Sequence, residues 1–352
     1  MRVLHLLQSD RFSGAENVVC QIISMFREYK DIEMIYCSQD GQIREALKER
    51  NIKFIPMKKL CCSEVKRVIK KIHPDLIHAH DMGASFYASL VCGKTPLISH
   101  IHNNNFDSRK LSVKASAYLI AAIKAKHIFW VSDSSYKGYY FHNLFRKKSS
   151  VLYNIVNVEE LIKKMNEDSK CYDYDLVYVG RITYPKNPQR LMHVLKLVLN
   201  KNPKIKVAII GTGELEEETK LLCRKYKIEN NVAFLGYQSN PLKMVHDSKV
   251  MIMTSRWEGT PMCALEAMSL GVPIVSTPTD GLMNLVINGE TGYLSDDDEE
   301  LANRILMTIE NKELHSALSQ NSKIKSAHLM NQEEYRKAIK SSYIIDKVNS
   351  NL

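Results

Sequence analysis

Apolar runs of four to six residues alternate along this chain with longer amphipathic stretches. In the first half the runs fall at 2–7, 32–37, 53–56, 76–79, 96–100 and 127–131, with helical periodicity over 15–29 and 112–126 between them. In the second half they fall at 175–179, 206–210, 232–235, 250–254 and 273–276, separated by helical stretches at 189–199, 215–226 and 262–270. Short strands alternating with helices of this length predict βαβ units and parallel sheets, one sheet in each half. The length suits two cores better than one. The pattern therefore predicts an α/β protein of two domains, 1–156 and 157–330. A linker is expected at 151–157, followed by the polar stretch 159–174. The charged tail 331–348 reads as a final helix able to return to the first domain.

The most chemically suggestive segment follows the apolar run 250–254. In Ser255-Arg-Trp-Glu258-Gly-Thr-Pro-Met-Cys-Ala-Leu-Glu266 two carboxylates flank a Gly-Thr-Pro break. Pro261 suits a helix start, and Gly271 with Pro273 suits its end. Strand, turn and helix would place Glu258 at the turn and Glu266 in the early helix. The amides of Gly259, Thr260 and Met262 would then lie at the positive helix end, where phosphates and sugar hydroxyls bind. Alone, the same spacing also fits an ordinary surface helix with acids in its first turns.

Other loops repeat the theme. Gly180-Arg181…Lys186 follows a strand, and a guanidinium with an ammonium suits a diphosphate. Gly211-Thr-Gly213 is a tight turn, but Glu216 breaks the dinucleotide fingerprint. Ser13-Gly14 leads from strand to helix and could bring backbone amides to a phosphate. The pairs His78/His80 and His100/His102 each share one strand face. His102 reads as a ligand-contacting or proton-moving residue, and no metal is expected.

Charge is uneven: residues 1–156 hold 24 Lys and Arg against 13 Asp and Glu, whereas 157–352 hold 25 against 26. The basic half suits an anionic membrane surface or a phosphate-bearing acceptor, and nucleic acid is not the expected partner. Eight cysteines without CxxC spacing suit reduced thiols and a cytoplasmic setting.

Taken in order, Ser13-Gly14-Ala15-Glu16, Asp75–His80, Pro96–Asn103, Val131-Ser132, Val151–Asn154, Gly180-Arg181…Lys186-Asn187, Gly211–Gly213, Val232–Tyr237 and the acid pair resemble the family-4 glycosyltransferases of GT-B fold. The HxHN form at 100–103 is similar to that of bacterial exopolysaccharide and capsule enzymes. The resemblance implies two Rossmann-like domains facing across a cleft, and sugar transfer from a nucleotide-sugar, expected to be a UDP-sugar. Retention of anomeric configuration without a metal or other cofactor is also implied. The acceptor would be a saccharide or a polyprenyl-diphosphate-linked sugar, reached peripherally on the inner membrane face. Arg181 and Lys186 would hold the diphosphate, Glu266 the ribose, and Glu258 with Gly259–Cys263 the donor sugar. Gly14 and Gly211 would approach the donor, and His102 would line the reaction centre. Two departures stand out: Ser13 replaces the first of two usual glycines, and Asn284 stands where Glu is common. The same fold also serves non-hydrolysing nucleotide-sugar epimerases and non-catalytic partner subunits, although Arg181, Lys186 and both acids are present here.

Overall fold

A computed structural model describes residues 1–102 and 106–344 of the 352. The chain forms two compact units, one of Met1–Asn154 with the chain from Gln332 onward, the other of Ile155–Asn331. Each is built on one all-parallel sheet.

The first sheet contains β1 (Arg2–Leu6), β2 (Glu33–Gln39), β3 (Phe54–Met57), β4 (Leu76–His80), β5 (Leu97–Ile101), β6 (His127–Trp130) and β7 (Ser149–Val151), in the order β3-β2-β1-β4-β5-β6-β7. The second contains β8 (Leu176–Val179), β9 (Val207–Ile210), β10 (Val232–Gly236), β11 (Val250–Met253), β12 (Ile274–Ser276) and β13 (Gly292–Leu294), in the order β10-β9-β8-β11-β12-β13. Both orders are doubly wound: the chain runs outward to one edge, returns to the centre and continues the other way. The central strands are buried on both faces, so their sequences run apolar rather than alternating. Helices supply the covering layers. In Pro188–Lys201, Leu191, Val194, Leu195 and Val198 follow helical spacing and are all buried in the second core.

Four elements differ from the sequence expectation. The three-residue edge strands β7 and β13 were not anticipated, being too short to show a period. The stretch 159–174, expected as a polar linker, holds the helix Val158–Asn166, which buries only Leu161. The terminal helix is Gln332–Tyr343 and belongs to the first unit; positions 345–348 of the expected tail helix lie outside the described residues. Tyr343 contacts Phe26 and His78 there, with ring centroids 6.0 and 5.7 Å apart.

Candidate functional site

In the second sheet the strand order reverses between β8 and β11, and in such sheets ligands bind beyond the carboxyl ends at that point. Two loops meet there. After β8, the segment 180–182 is overlaid by the loop after β9: Ile182 N–H donates to Thr212 O at 2.9 Å, and Leu215 N–H to Ile182 O at 3.0 Å. This approach requires glycine. A Cβ on Gly211, whose φ is +133°, would stand 2.0 Å from Gly180 O, and one on Gly213 would stand 2.2 Å from Ile182 O. Arg181 is exposed, and its carbonyl accepts the Tyr178 hydroxyl at 2.9 Å. Burial pushes that phenol up, so it stays a donor.

A short turn over Tyr184–Lys186 then leads through Asn187, at φ +53°, into the helix Pro188–Lys201. Arg256 ties this turn to the loop after β11. Its N–H donates to Pro185 O at 2.8 Å, its guanidinium to Asn187 Oδ1 at 2.9 Å, and it lies 4.5 Å over the Tyr184 ring. The consequence is a close ion pair between residues far apart in sequence: Lys186 Nζ meets Glu258 Oε1 at 2.5 Å. Ser255 Oγ donates to the same oxygen at 2.6 Å. These side chains are nearly sequestered, at 17% exposure for Lys186 and 10% for Glu258. Burial opposes the Lys186 charge, but the Glu258 carboxylate outweighs it and the ammonium titrates above its usual range.

The acid segment folds as strand, turn and helix. The helix is Met262–Leu270, with Pro261 as the extended residue capping it and Gly271 at φ +78° closing it. Glu266 lies in its second turn, half-buried, beside Cys263. Burial pushes the Cys263 thiol up to about 12. Against the turn lies a contact that the sequence did not disclose: a Cβ on Gly281 would fall 1.3 Å from Gly259 O. The Thr277 hydroxyl, donating to Ser255 O at 2.8 Å, holds the other side. Asn284 is exposed at the end of the turn Asp280–Met283.

Arg181, Lys186, Gly211, Glu258, Gly259, Thr260, Pro261, Met262, Cys263 and Glu266 thus all belong to the second unit. Gly14 and His102 belong to the first. Gly14 is the first residue of the helix Gly14–Met25; ahead of it the Ser13 hydroxyl donates to Glu16 Oε2 at 2.5 Å. His102 follows β5 at the carboxyl edge, and Asn103 of the same motif lies outside the described residues. Parallel register sets His5 beside His78 and His80 beside His100, so the two expected histidine pairs form one buried cluster that His5 joins. Neither spacing nor periodicity marked His5. Burial pushes His5 and His102 down to about 3 and lowers the other three as well, so the cluster is neutral. Two triads, His5/His78/His80 and His80/His100/His102, bring ring nitrogens within 4.8 Å of one another. The rings, however, stack: His78 on His80 at 25° and His100 on His102 at 29°. In-plane lone pairs of stacked rings run side by side and do not converge on one point, while the close nitrogen pairs His5–His80 and His80–His102, at 3.0 and 2.9 Å, meet at N–H···N distance.

Residues 158–325 match the family model of the glycosyl transferases group 1, and residues 12–160 that of glycosyltransferase family 4. Together the two models, both of glycosyltransferases, span residues 12–325 of the chain. Among its relatives, an uncharacterised glycosyltransferase of Methanocaldococcus jannaschii is 28% identical over 61% of this chain and 58% of its own. The match therefore spans less than two thirds of that relative. The Escherichia coli UDP-Gal:α-D-GlcNAc-diphosphoundecaprenol α-1,3-galactosyltransferase is 25% identical over 99% of this chain and 98% of its own. In fold, the chain resembles Anabaena HepE, solved in complex with UDP-glucose, with TM-score 0.83 and 21% identity over 97% of this chain and 99% of that one. The architecture is accordingly that of the GT-B enzymes, two Rossmann-like parallel-sheet domains. Among the described residues no helix is long and apolar enough to cross a membrane.

Proposed function

We propose that this protein transfers a sugar from a UDP-sugar to a saccharide or polyprenyl-diphosphate-linked acceptor, with retention and without a metal, in the synthesis of a surface polysaccharide. The observation that carries the reading is the Lys186–Glu258 pair, set beside Arg181 and the start of the helix Met262–Leu270 at the reversal of strand order. When the glycosidic bond to the nucleotide breaks, negative charge grows on the departing diphosphate. An ammonium fixed by Glu258, with the Arg181 guanidinium beside it, stabilises that charge with little reorganisation, which is what a metal would otherwise do. Glu258 spends one oxygen on Lys186 and Ser255, and Oε2 has no partner among the described residues. That oxygen suits a sugar hydroxyl; an ion-paired carboxylate is a poor nucleophile, in keeping with front-face attack. Glu266 holds the ribose, while Gly211 and the backbone of Gly259–Cys263 line the donor. From the first unit, Gly14 approaches the donor and His102 lines the reaction centre, with the acceptor taken on that unit. The UDP-Gal specificity and lipid-linked substrate in the name of the E. coli relative, and the UDP-glucose bound by HepE, support donor and acceptor classes.

A second observation favours a membrane-borne acceptor. The helix Val113–Lys124 exposes Val113 (88%), Ile120 (48%) and Ile123 (66%) along one stripe, and Leu144 is 70% exposed nearby in sequence to Arg146 and Lys147. Exposed apolar residues among cations suit the interface of an anionic bilayer. Of the lysines around this stripe, Lys148 is bound to the carbonyls of Ile123 and Ala125 at 2.9 and 2.7 Å, and Lys126 to that of Ile344. Lys124 and Lys147 remain exposed. Purified protein offered a panel of UDP-sugars, with and without lipid-linked acceptor, should release UDP only when the acceptor is present. Interconversion of the free donor without acceptor would favour an epimerase, and no turnover with any donor would favour a non-catalytic role.

A further inference from the structure

The histidine cluster contains a continuous hydrogen-bonded chain. His5 Nδ1 lies 3.0 Å from His80 Nε2, and His80 Nδ1 lies 2.9 Å from His102 Nε2. Its two ends, His5 Nε2 and His102 Nδ1, are buried without partners among the described residues. A neutral imidazole has one N–H and one lone pair. Because both His80 nitrogens are engaged, one choice sets all three rings. Either His5 donates to His80 and His80 to His102, leaving the His102 proton on Nδ1, or every bond runs the other way and Nδ1 is a bare acceptor. Any mixture sets two N–H groups or two lone pairs face to face at under 3.1 Å; an added proton fits only on the bare end of the chain, where burial opposes the charge.

We propose that His80 is a positioning residue that holds His102 as a neutral imidazole of one tautomer, so that His102 hydrogen-bonds its ligand through Nδ1 and does not carry a proton. The backbone is arranged to the same end. His102 N–H donates to Asp81 Oδ1 at 2.9 Å, and Asp81 itself sits at φ +66°, in the left-handed region that Asp tolerates better than most non-glycine residues. His100 stacks on His102 at 4.3 Å and His78 on His80 at 4.4 Å. The remaining groups around the chain keep it neutral. His127 of β6 is itself lowered by burial, Tyr36 of β2 stands beside His5 in register, and Tyr343 of the terminal helix bonds His78 Nδ1 at 2.7 Å. Among the described residues the nearby carboxylates are Asp81, which accepts the His102 amide, and Glu16 of the helix Gly14–Met25, which acts on Tyr36. The functional part of the inference rests on the reading that His102 meets the acceptor.

The test is nitrogen NMR of the full chain labelled with 15N at the histidine rings, assigned with single variants and followed from pH 8 to 5. The chain as described predicts one protonated and one bare ring nitrogen on His102, unchanged across that range. In His80→Phe, which keeps the stacking ring but neither nitrogen, the His102 tautomers should average, and kcat/KM should fall about tenfold with KM little altered, the scale of one lost orienting hydrogen bond. His80→Asn, whose amide can replace Nδ1, should restore both. A wild-type His102 that titrates near 6.5 overturns the proposal, as does a His80→Phe spectrum identical to wild type. If the spectra behave as expected but His102→Gln transfers sugar at the wild-type rate, the lock stands and the placement of the acceptor at His102 is what fails.

Discussion

Gly281→Ala tests the site's architecture without altering any side chain assigned to the substrate. A Cβ at this position would lie 1.3 Å from Gly259 O and 2.5 Å from its carbon, whereas real Cβ contacts essentially never fall below 3.0 Å. One backbone must therefore retreat by about 1.7 Å. The loop that would retreat carries Glu258, whose Oε1 is held at 2.5 Å by Lys186 and 2.6 Å by Ser255. Hydrogen bonds weaken steeply once stretched by more than about 0.5 Å, so both are lost. A displacement of about 1 Å at a catalytic constellation costs on the order of a hundredfold. The expected result is a fall of about that size in kcat/KM, with roughly 1–3 kcal/mol of stability lost to overpacking. Steady-state UDP release and urea unfolding measure the two effects. Gly93→Ala is the control: its φ is also positive, at +59°, but nothing lies within 4 Å of the added Cβ. It should lose stability and keep its activity. A folded Gly281→Ala protein that transfers sugar within threefold of wild type would refute the claim that this contact positions Glu258.

Three further outcomes follow from the same geometry. Cys263, half-buried with its thiol pushed up to about 12, should be alkylated more slowly at pH 8 than exposed Cys171; labelling of Cys263 as fast as Cys171 in the folded protein would contradict the raised thiol. Folding stability should fall on acidification from about pH 6.5, because the unfolded chain takes up protons that His5 and His102 refuse until about pH 3. Each such imidazole costs about 2 kcal/mol at pH 5, read as a lower urea midpoint at pH 5 than at pH 7.5; equal midpoints would show that the cluster is not held neutral. Tyr343→Phe should destabilise the first unit by about 1–3 kcal/mol, since His78 Nδ1 loses its only partner among the described residues in a buried setting; an unchanged thermal midpoint would argue against that bond.

Much of this organisation is visible in the sequence because parallel strands buried on both faces are written as apolar runs, and the helices between them carry their own boundaries. The segment 250–271 is the clearest case: an apolar strand, a proline cap and a glycine stop leave little freedom, and the helix Met262–Leu270 forms where they direct. What stays hidden has a common physical cause. Register, not local pattern, sets His5 beside His78, and a single histidine in an apolar strand gives no sign of it. The Lys186–Glu258 pair joins residues 72 apart through two loops whose meeting is decided by sheet order. Gly281 is needed for a close approach of two backbones, and from the sequence its segment stood out only for carrying Asn284. Strands β7 and β13 are too short for any period, and the helix Val158–Asn166 rests on one buried leucine.

The account stands most directly on the two sides of the second unit's site, Lys186 after β8 and Glu266 in the helix after β11. Single-turnover transfer from a UDP-sugar to a lipid-linked acceptor, compared among wild type, Lys186→Ala and Glu266→Ala at matched folded concentration, measures it. Wild type should give acceptor-dependent UDP release with retained anomeric configuration in the product, and each variant should lose nearly all of it. Substantial transfer by either folded variant would contradict the site assigned here.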